Sequence, residues 1–262
     1  MNSSTWSAPV QRGRWILNTL FHQALAVVVI FTIWIPIDYN IVFHNQLIGH
    51  IIFCTIGVFF LAESLILFAG DNVWSQDLEK KSRYWIHGVL IAIGTVCIIT
   101  GISIEINRTK LTGHFESDHG IIGLMALIFL SLSLILGLLG AFSNTFSGYI
   151  RPVILKFTHN LIGIITYTFC IAALCLGYYT DPYKQLTSST TRNSATVAAC
   201  IICCWSLITS FISAYKQIRS IDNSKKGLPL ELIGVNRPKS LIFLDQHPVE
   251  NEEERKTLSG DE

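Results

Sequence analysis

Charge is scarce in this 262-residue sequence: Asp, Glu, Lys and Arg make up 14% of it, against roughly 25% in a soluble domain. A chain this poor in charge cannot cover a water-soluble enzyme, so that class is excluded. Nor is there a basic stripe, since 19 Lys and Arg face 18 Asp and Glu, and nucleic acid is excluded as a partner. A disulfide framework is missing too. All seven cysteines (Cys54, Cys97, Cys170, Cys175, Cys200, Cys203 and Cys204) lie inside apolar runs, where a free thiol packs as a small hydrophobe. Cys200 and Cys203, followed by Cys204, have the spacing of a redox or zinc motif, but no second Cys or His pair accompanies them, which leaves packing.

What the sequence has is apolar length. Half of its residues are hydrophobic and the mean hydropathy is +0.47. The apolar residues gather into six runs, over 15–37, 47–69, 84–104, 119–142, 153–178 and 195–215, each near the ~20 residues a helix needs to cross a bilayer. The fold class expected is therefore an all-α membrane protein with six transmembrane helices, one six-span domain over 15–215. Asp71 and Asn72, Gly113, Ser147 and Gly148, and Asp181 with Pro182 punctuate short loops. The first run is too long for a signal-peptide core and lacks a small-residue cleavage pattern, so it is expected to stay as an anchor.

Orientation follows from the flanking cations. With the N-terminal segment 1–14 in the cytoplasm, the inner segments carry Arg12, Arg14, Lys80, Lys81, Arg83, Arg151, Lys156, Lys216, Arg219, Lys225 and Lys226, and the outer ones only Arg108, Lys110, Lys184 and Arg192. Both termini are expected to be cytoplasmic. The tail over 216–262 mixes Pro, Ser and Lys with the acidic run Glu252, Glu253, Glu254 and is expected to be disordered.

Ionisable groups inside a bilayer are expensive and mark function. Four histidines stand near the starts of four consecutive spans: His50, His87, His119 and His159. Successive spans run in opposite directions, so His50 and His119 share one face of the membrane, and His87 and His159 the other. In an up-and-down four-helix bundle of spans 2–5 each pair faces across the bundle axis. Two opposed imidazoles can hold a flat macrocycle by both faces of its iron, so the bundle is expected to hold two b haems, with electron transfer as the work because both axial positions are filled. The positive end of each helix dipole keeps the rings neutral and able to donate a lone pair. Gly57, Gly94, Gly123 and Gly163 lie on the same helical faces and are expected to leave room for a planar ligand, or to let helices pack closely. Zinc fits less well, with two histidines at each face where three or more protein ligands are usual. A reading from another class is a haem-free transporter or channel whose histidines relay protons or a metal.

These residues resemble the cytochrome b561 family, and within it the short cytochrome b561 domain-containing branch of transmembrane reductases. The likeness rests on the six-span layout, Leu61-Ala62-Glu63-Ser64-Leu65, Trp85-Ile86-His87, the segment from His114 through His119-Gly120 to Gly123-Leu124, and Leu155-Lys156-Phe157-Thr158-His159 with Gly163. Two strings depart from the ascorbate-handling members: Leu67-Phe68-Ala69-Gly70-Asp71, where they carry Arg and Tyr, and Glu116-Ser117-Asp118-His119-Gly120, where they read like Ser-Leu-His-Ser-Trp. The resemblance implies two haem b per chain, the cytoplasmic one on His87 and His159 and the luminal or outer one on His50 and His119. It further implies an ascorbate-dependent transmembrane oxidoreductase with monodehydroascorbate radical or a ferric chelate as acceptor. An endomembrane (ER or vesicle) fits it better than the plasma membrane, and a homodimer is compatible with it. Lys80, Lys81, Arg83, Arg151 and Lys156 would attract ascorbate or simply set topology. His114 would meet the acceptor or be an ordinary loop histidine. His22 is expected to hydrogen-bond a neighbour, and Glu63 to steer a proton or bond an adjacent helix.

Overall fold

A computed structural model describes residues 8–38, 45–69, 72, 74–109, 113–142 and 151–225. Its elements are α1 (Ala8–Asp38), α2 (Asn45–Ile66), α3 (Lys80–Arg108), α4 (Asp118–Ala141), α5 (Pro152–Gly177), α6 (Asp181–Leu186) and α7 (Ser189–Lys225). Among the described residues six helices, all but α6, are long and apolar enough to span a membrane. The chain is an integral multi-pass membrane protein.

The outer surface of the helices obeys lipid rather than water. On α1, Asn18, Phe21, Leu25, Val28, Thr32 and Ile35 are buried at alternating steps of three and four residues, the spacing that keeps one stripe turned inward. Its other face carries Val27, Ile30 and Trp34, each more than 60% exposed, which only an apolar solvent tolerates. Local signals stop and start the spans. Ser117 caps α4, its Oγ accepting from Gly120 N at 3.1 Å, and Pro152 opens α5, where a missing N–H costs nothing. Buried Asn72 closes α2 by donating from Nδ2 to Ile66 O at 3.0 Å.

α2 packs extensively on α3 and α4 on α5, while contacts between the two pairs are sparse. Gly57 and Gly94 make the first pairing close: a Cβ on Gly57 would lie 2.8 Å from Gly94 O, and one on Gly94 3.0 Å from Gly57 O. These two glycines therefore serve helix approach, not room for a ligand. α1 joins α2, and α7 joins α5 and α1, through a continuous core that includes Phe21, Leu61, Tyr167 and Leu207. Tyr178 and α6 cover one end: Tyr178 Oη and Thr32 Oγ1 are 2.7 Å apart, and Tyr183 Oη donates to Thr32 O at 2.6 Å. Burial pushes the Tyr178 phenol up to about 12 and that of Tyr183 higher still.

Several boundaries move outward. α3 begins at Lys80, so Lys80, Lys81 and Arg83 stand on its first turn instead of in the preceding loop. α1 begins at Ala8, inside the segment assigned to the N-terminus. Residues 216–225, expected in the disordered tail, continue α7 as helix, because no Gly or Pro intervenes before Gly227. By internal contacts the chain divides into Met1–Gln217 and Ile218–Glu262; of the second unit, 218–225 are helical. The rest of the expected tail, 226–262, and the loop residues Asp71, Lys110, Ser147 and Gly148 lie outside the described residues.

Candidate functional site

The four intramembrane histidines meet in two pairs, as their alternation requires. The rings of His50 (α2) and His119 (α4) have centroids 5.9 Å apart with planes at 90°, and those of His87 (α3) and His159 (α5) 6.2 Å at 88°. Each pair joins diagonal helices. The two pairs stand near opposite ends of the bundle.

Every one of the four rings is held by a backbone carbonyl. His50 Nδ1 lies 2.9 Å from Gly101 O, His87 Nδ1 3.1 Å from Ser64 O, His119 Nδ1 2.8 Å from Ala173 O, and His159 Nδ1 3.1 Å from Ser133 O. A carbonyl only accepts, so Nδ1 carries the proton in each ring and Nε2 carries the lone pair. That is the tautomer a metal-ligating histidine is given by its outer partners.

The bracing carbonyls obey a simple spacing. His50 and Ser64, His87 and Gly101, His119 and Ser133, and His159 and Ala173 are each fourteen residues apart on their own helix. Each helix thus bears a histidine at one end and, four turns on, the carbonyl that braces the histidine of its antiparallel neighbour. At about 1.5 Å per residue the two histidine levels are separated by roughly 20 Å. The residue at the bracing position is Ser, Gly, Ser or Ala, small enough for an imidazole to reach the main chain.

One turn beyond each bracing carbonyl the four environments differ. Phe68 packs against His87 with centroids 5.3 Å apart, and Glu105 lies within electrostatic reach of both His50 and His119 while paired to Arg108 at 2.8 Å. In the same places α4 and α5 carry glycine: a Cβ on Gly137 would stand 3.0 Å from His159 Cε1, and one on Gly177 3.4 Å from His119 Cε1. Glu105, Gly137 and Gly177 went unnoticed in the sequence, and Phe68 stood out only as part of a divergent string. Their common signal is position, eighteen residues after a histidine.

Lys80, Lys81 and Arg83 open α3, Arg151 precedes α5 and Lys156 lies in its first turns, so all five belong to the end of the bundle that holds His87 and His159. Lys80 Nζ sits 6.0 Å over the Tyr84 ring. His114 lies toward the other end, exposed, with Nδ1 2.9 Å from Thr109 Oγ1, beside Phe115 at φ +58°. His22 reaches Glu63, Nδ1 to Oε1 at 2.8 Å, which accounts for both residues by one bond between α1 and α2. All seven cysteines are free, and among the described residues no group of three or more His, Cys, Asp and Glu is arranged around a common centre.

Residues 49–185, just over half of the chain, match the family model described as eukaryotic cytochrome b561. All four bundle histidines fall inside the match. Neither curated proteins nor solved structures gave a match to the chain.

Proposed function

The chain belongs to the eukaryotic cytochrome b561 family, whose members are transmembrane b-type electron-transfer proteins, and from that premise we propose a two-haem reductase. In this reading His87 with His159, and His50 with His119, each hold one haem b. Ascorbate gives electrons on the cytoplasmic side, and monodehydroascorbate radical or a ferric chelate receives them on the luminal side of an endomembrane.

The paired imidazoles carry the proposal. An imidazole nitrogen sits about 2 Å from a first-row metal and its ring centre about 1 Å farther, so two rings on opposite sides of one iron stand about 6 Å apart. The observed 5.9 and 6.2 Å agree with that requirement. The four Nδ1–H bonds aim every lone pair away from the backbone. Gly123 has nothing within 4 Å of where a Cβ would stand, and the nearest atom to one on Gly163 would be Ser133 Oγ at 3.8 Å; both fit the flank of a macrocycle. Held between such a pair of histidines, haem b would supply a one-electron couple.

The chain's own residues do the rest. Backbone carbonyls fix each ring, the apolar bundle excludes water, and Lys80, Lys81, Arg83, Arg151 and Lys156 attract an anionic donor to one face. On the opposite face the exposed His114 would meet an acceptor in this reading. Purified protein should show b-type absorption bands on reduction by ascorbate, with two haems per chain. Vesicles with ascorbate on one side and a ferric chelate on the other would test direction, donor and acceptor together. A colourless preparation from haem-replete cells would refute the proposal and favour a haem-free carrier.

A further inference from the structure

We propose that His22 and Glu63 form an intramembrane proton site that gains one proton when the haem between His87 and His159 gains one electron. The inference rests on the function proposed above.

The pair joins α1 to α2 through the 2.8 Å contact of His22 Nδ1 with Glu63 Oε1, and Glu63 is only 9% exposed. With the carboxylate accepting, Nδ1 carries the ring proton. His22 Nε2 is buried and has no hydrogen-bond partner among the described residues. A buried ring nitrogen with a lone pair and no donor opposite it is the position where a further proton lodges. Glu63 directly precedes Ser64, whose carbonyl braces His87 at 3.1 Å, so a single peptide step of α2 links the pair to the brace of that ligand. Other titratable groups near the site are Tyr167 of α5, within electrostatic reach of Glu63, and beside that tyrosine Cys170 of α5 and Cys203 of α7. Buried Asn18 lies one turn before His22 on the same face of α1, a polar step toward the membrane face on which α1 begins.

Burying an electron without a counter-charge is costly in a medium of low dielectric. A proton taken from water at that face forms the Nε2–H bond. The pair passes from neutral imidazole with carboxylate to imidazolium with carboxylate, a gain of one positive charge. The one-electron donor, ascorbate in the cell or dithionite in a titration, is oxidised as the iron is reduced, and the net charge of haem and pair together is unchanged.

The test is a redox titration, followed by haem absorbance, of the full-length haem-loaded protein in lipid nanodiscs across about pH 5 to 8, where histidine titrates. In the wild type one haem should lose potential as pH rises, by up to about 59 mV per tenfold fall in proton concentration for one proton and one electron. His22→Gln and Glu63→Gln should flatten that dependence and leave the other haem unchanged, and Glu63→Asp should restore part of it. A measurement that needs no variant is proton uptake on reduction of the wild type, expected at up to one proton per chain. Haem-loaded wild type with flat potentials and no proton uptake, or a slope that survives both Gln substitutions, would overturn the proton site alone. Absence of haem from the protein would overturn the two-haem reading and this inference with it.

Discussion

Gly101 does two things at one place, and replacing it by Ala separates them from the rest of the bundle. Its carbonyl accepts from His50 Nδ1 at 2.9 Å, and its bare Cα lets α3 lie against α2: an added Cβ would stand 2.6 Å from Cys54 Sγ and 3.0 Å from both Cys54 N and His50 O. Sulfur can swing aside, but two of the three obstacles are main chain, so the helices must part by several tenths of an ångström. Overpacking of this kind costs about 1–3 kcal/mol, and loss of the His50 brace a further ~0.5–1.5 kcal/mol. Together these weaken a ligand held by His50 by about 10-fold to 2000-fold. The assay is the haem-to-protein ratio of purified Gly101→Ala during dilution, with Gly123→Ala as the comparison because nothing lies within 4 Å of its added methyl. Gly101→Ala should lose one haem first while the His87 and His159 end keeps its own, and Gly123→Ala should keep both unless the macrocycle itself fills that space. Equal retention of both haems by Gly101→Ala would refute the claim that this glycine sets the position of His50.

His87→Ala or His159→Ala should abolish ascorbate-driven reduction, whereas His50→Ala or His119→Ala should preserve reduction of the remaining haem and block transfer to an outer ferric chelate; stopped-flow absorbance distinguishes the two. Gly57→Ala should lower resistance to thermal unfolding in detergent by about 1–3 kcal/mol, since its methyl would meet Ile98 Cγ1 at 2.5 Å and Gly94 O at 2.8 Å. Tyr178, with its phenol pushed up to about 12 by burial, binds its proton more tightly folded than unfolded, where the ordinary value is about 10. Its contribution to stability is whole below about pH 10 and is lost as pH rises toward 12, so Tyr178→Phe should flatten the alkaline limb of a stability curve.

The spans and the histidine pairing were legible because each rests on a one-dimensional signal. Apolar length gives the helices, and alternation of helix direction places His50 with His119 and His87 with His159. Helix ends were less legible: Lys80 and Lys81 read as loop cations, yet nothing in Lys80-Lys81-Ser82-Arg83 forbids helix, and α3 takes them in. The glycines split for a reason no single helix reveals. Gly57 and Gly94 face each other across a close contact while Gly123 faces open space, and only the partner helix decides which. The bracing carbonyls belong to the main chain and have no letter of their own, although the small residues Ser64, Gly101, Ser133 and Ala173 mark them once the fourteen-residue step is known. His22 and Glu63 are forty-one residues apart in sequence, and no spacing rule joins a histidine to a carboxylate over that distance.

The cross-bracing of α2 with α3 and of α4 with α5 makes two hairpins that touch each other sparsely. Each owns one imidazole of each pair, so neither hairpin can saturate an iron by itself. A porphyrin clasped between them would act as a rivet, and supply of that pigment during biogenesis would decide whether the hairpins lock together or drift apart in the lipid, where quality-control proteases could seize them.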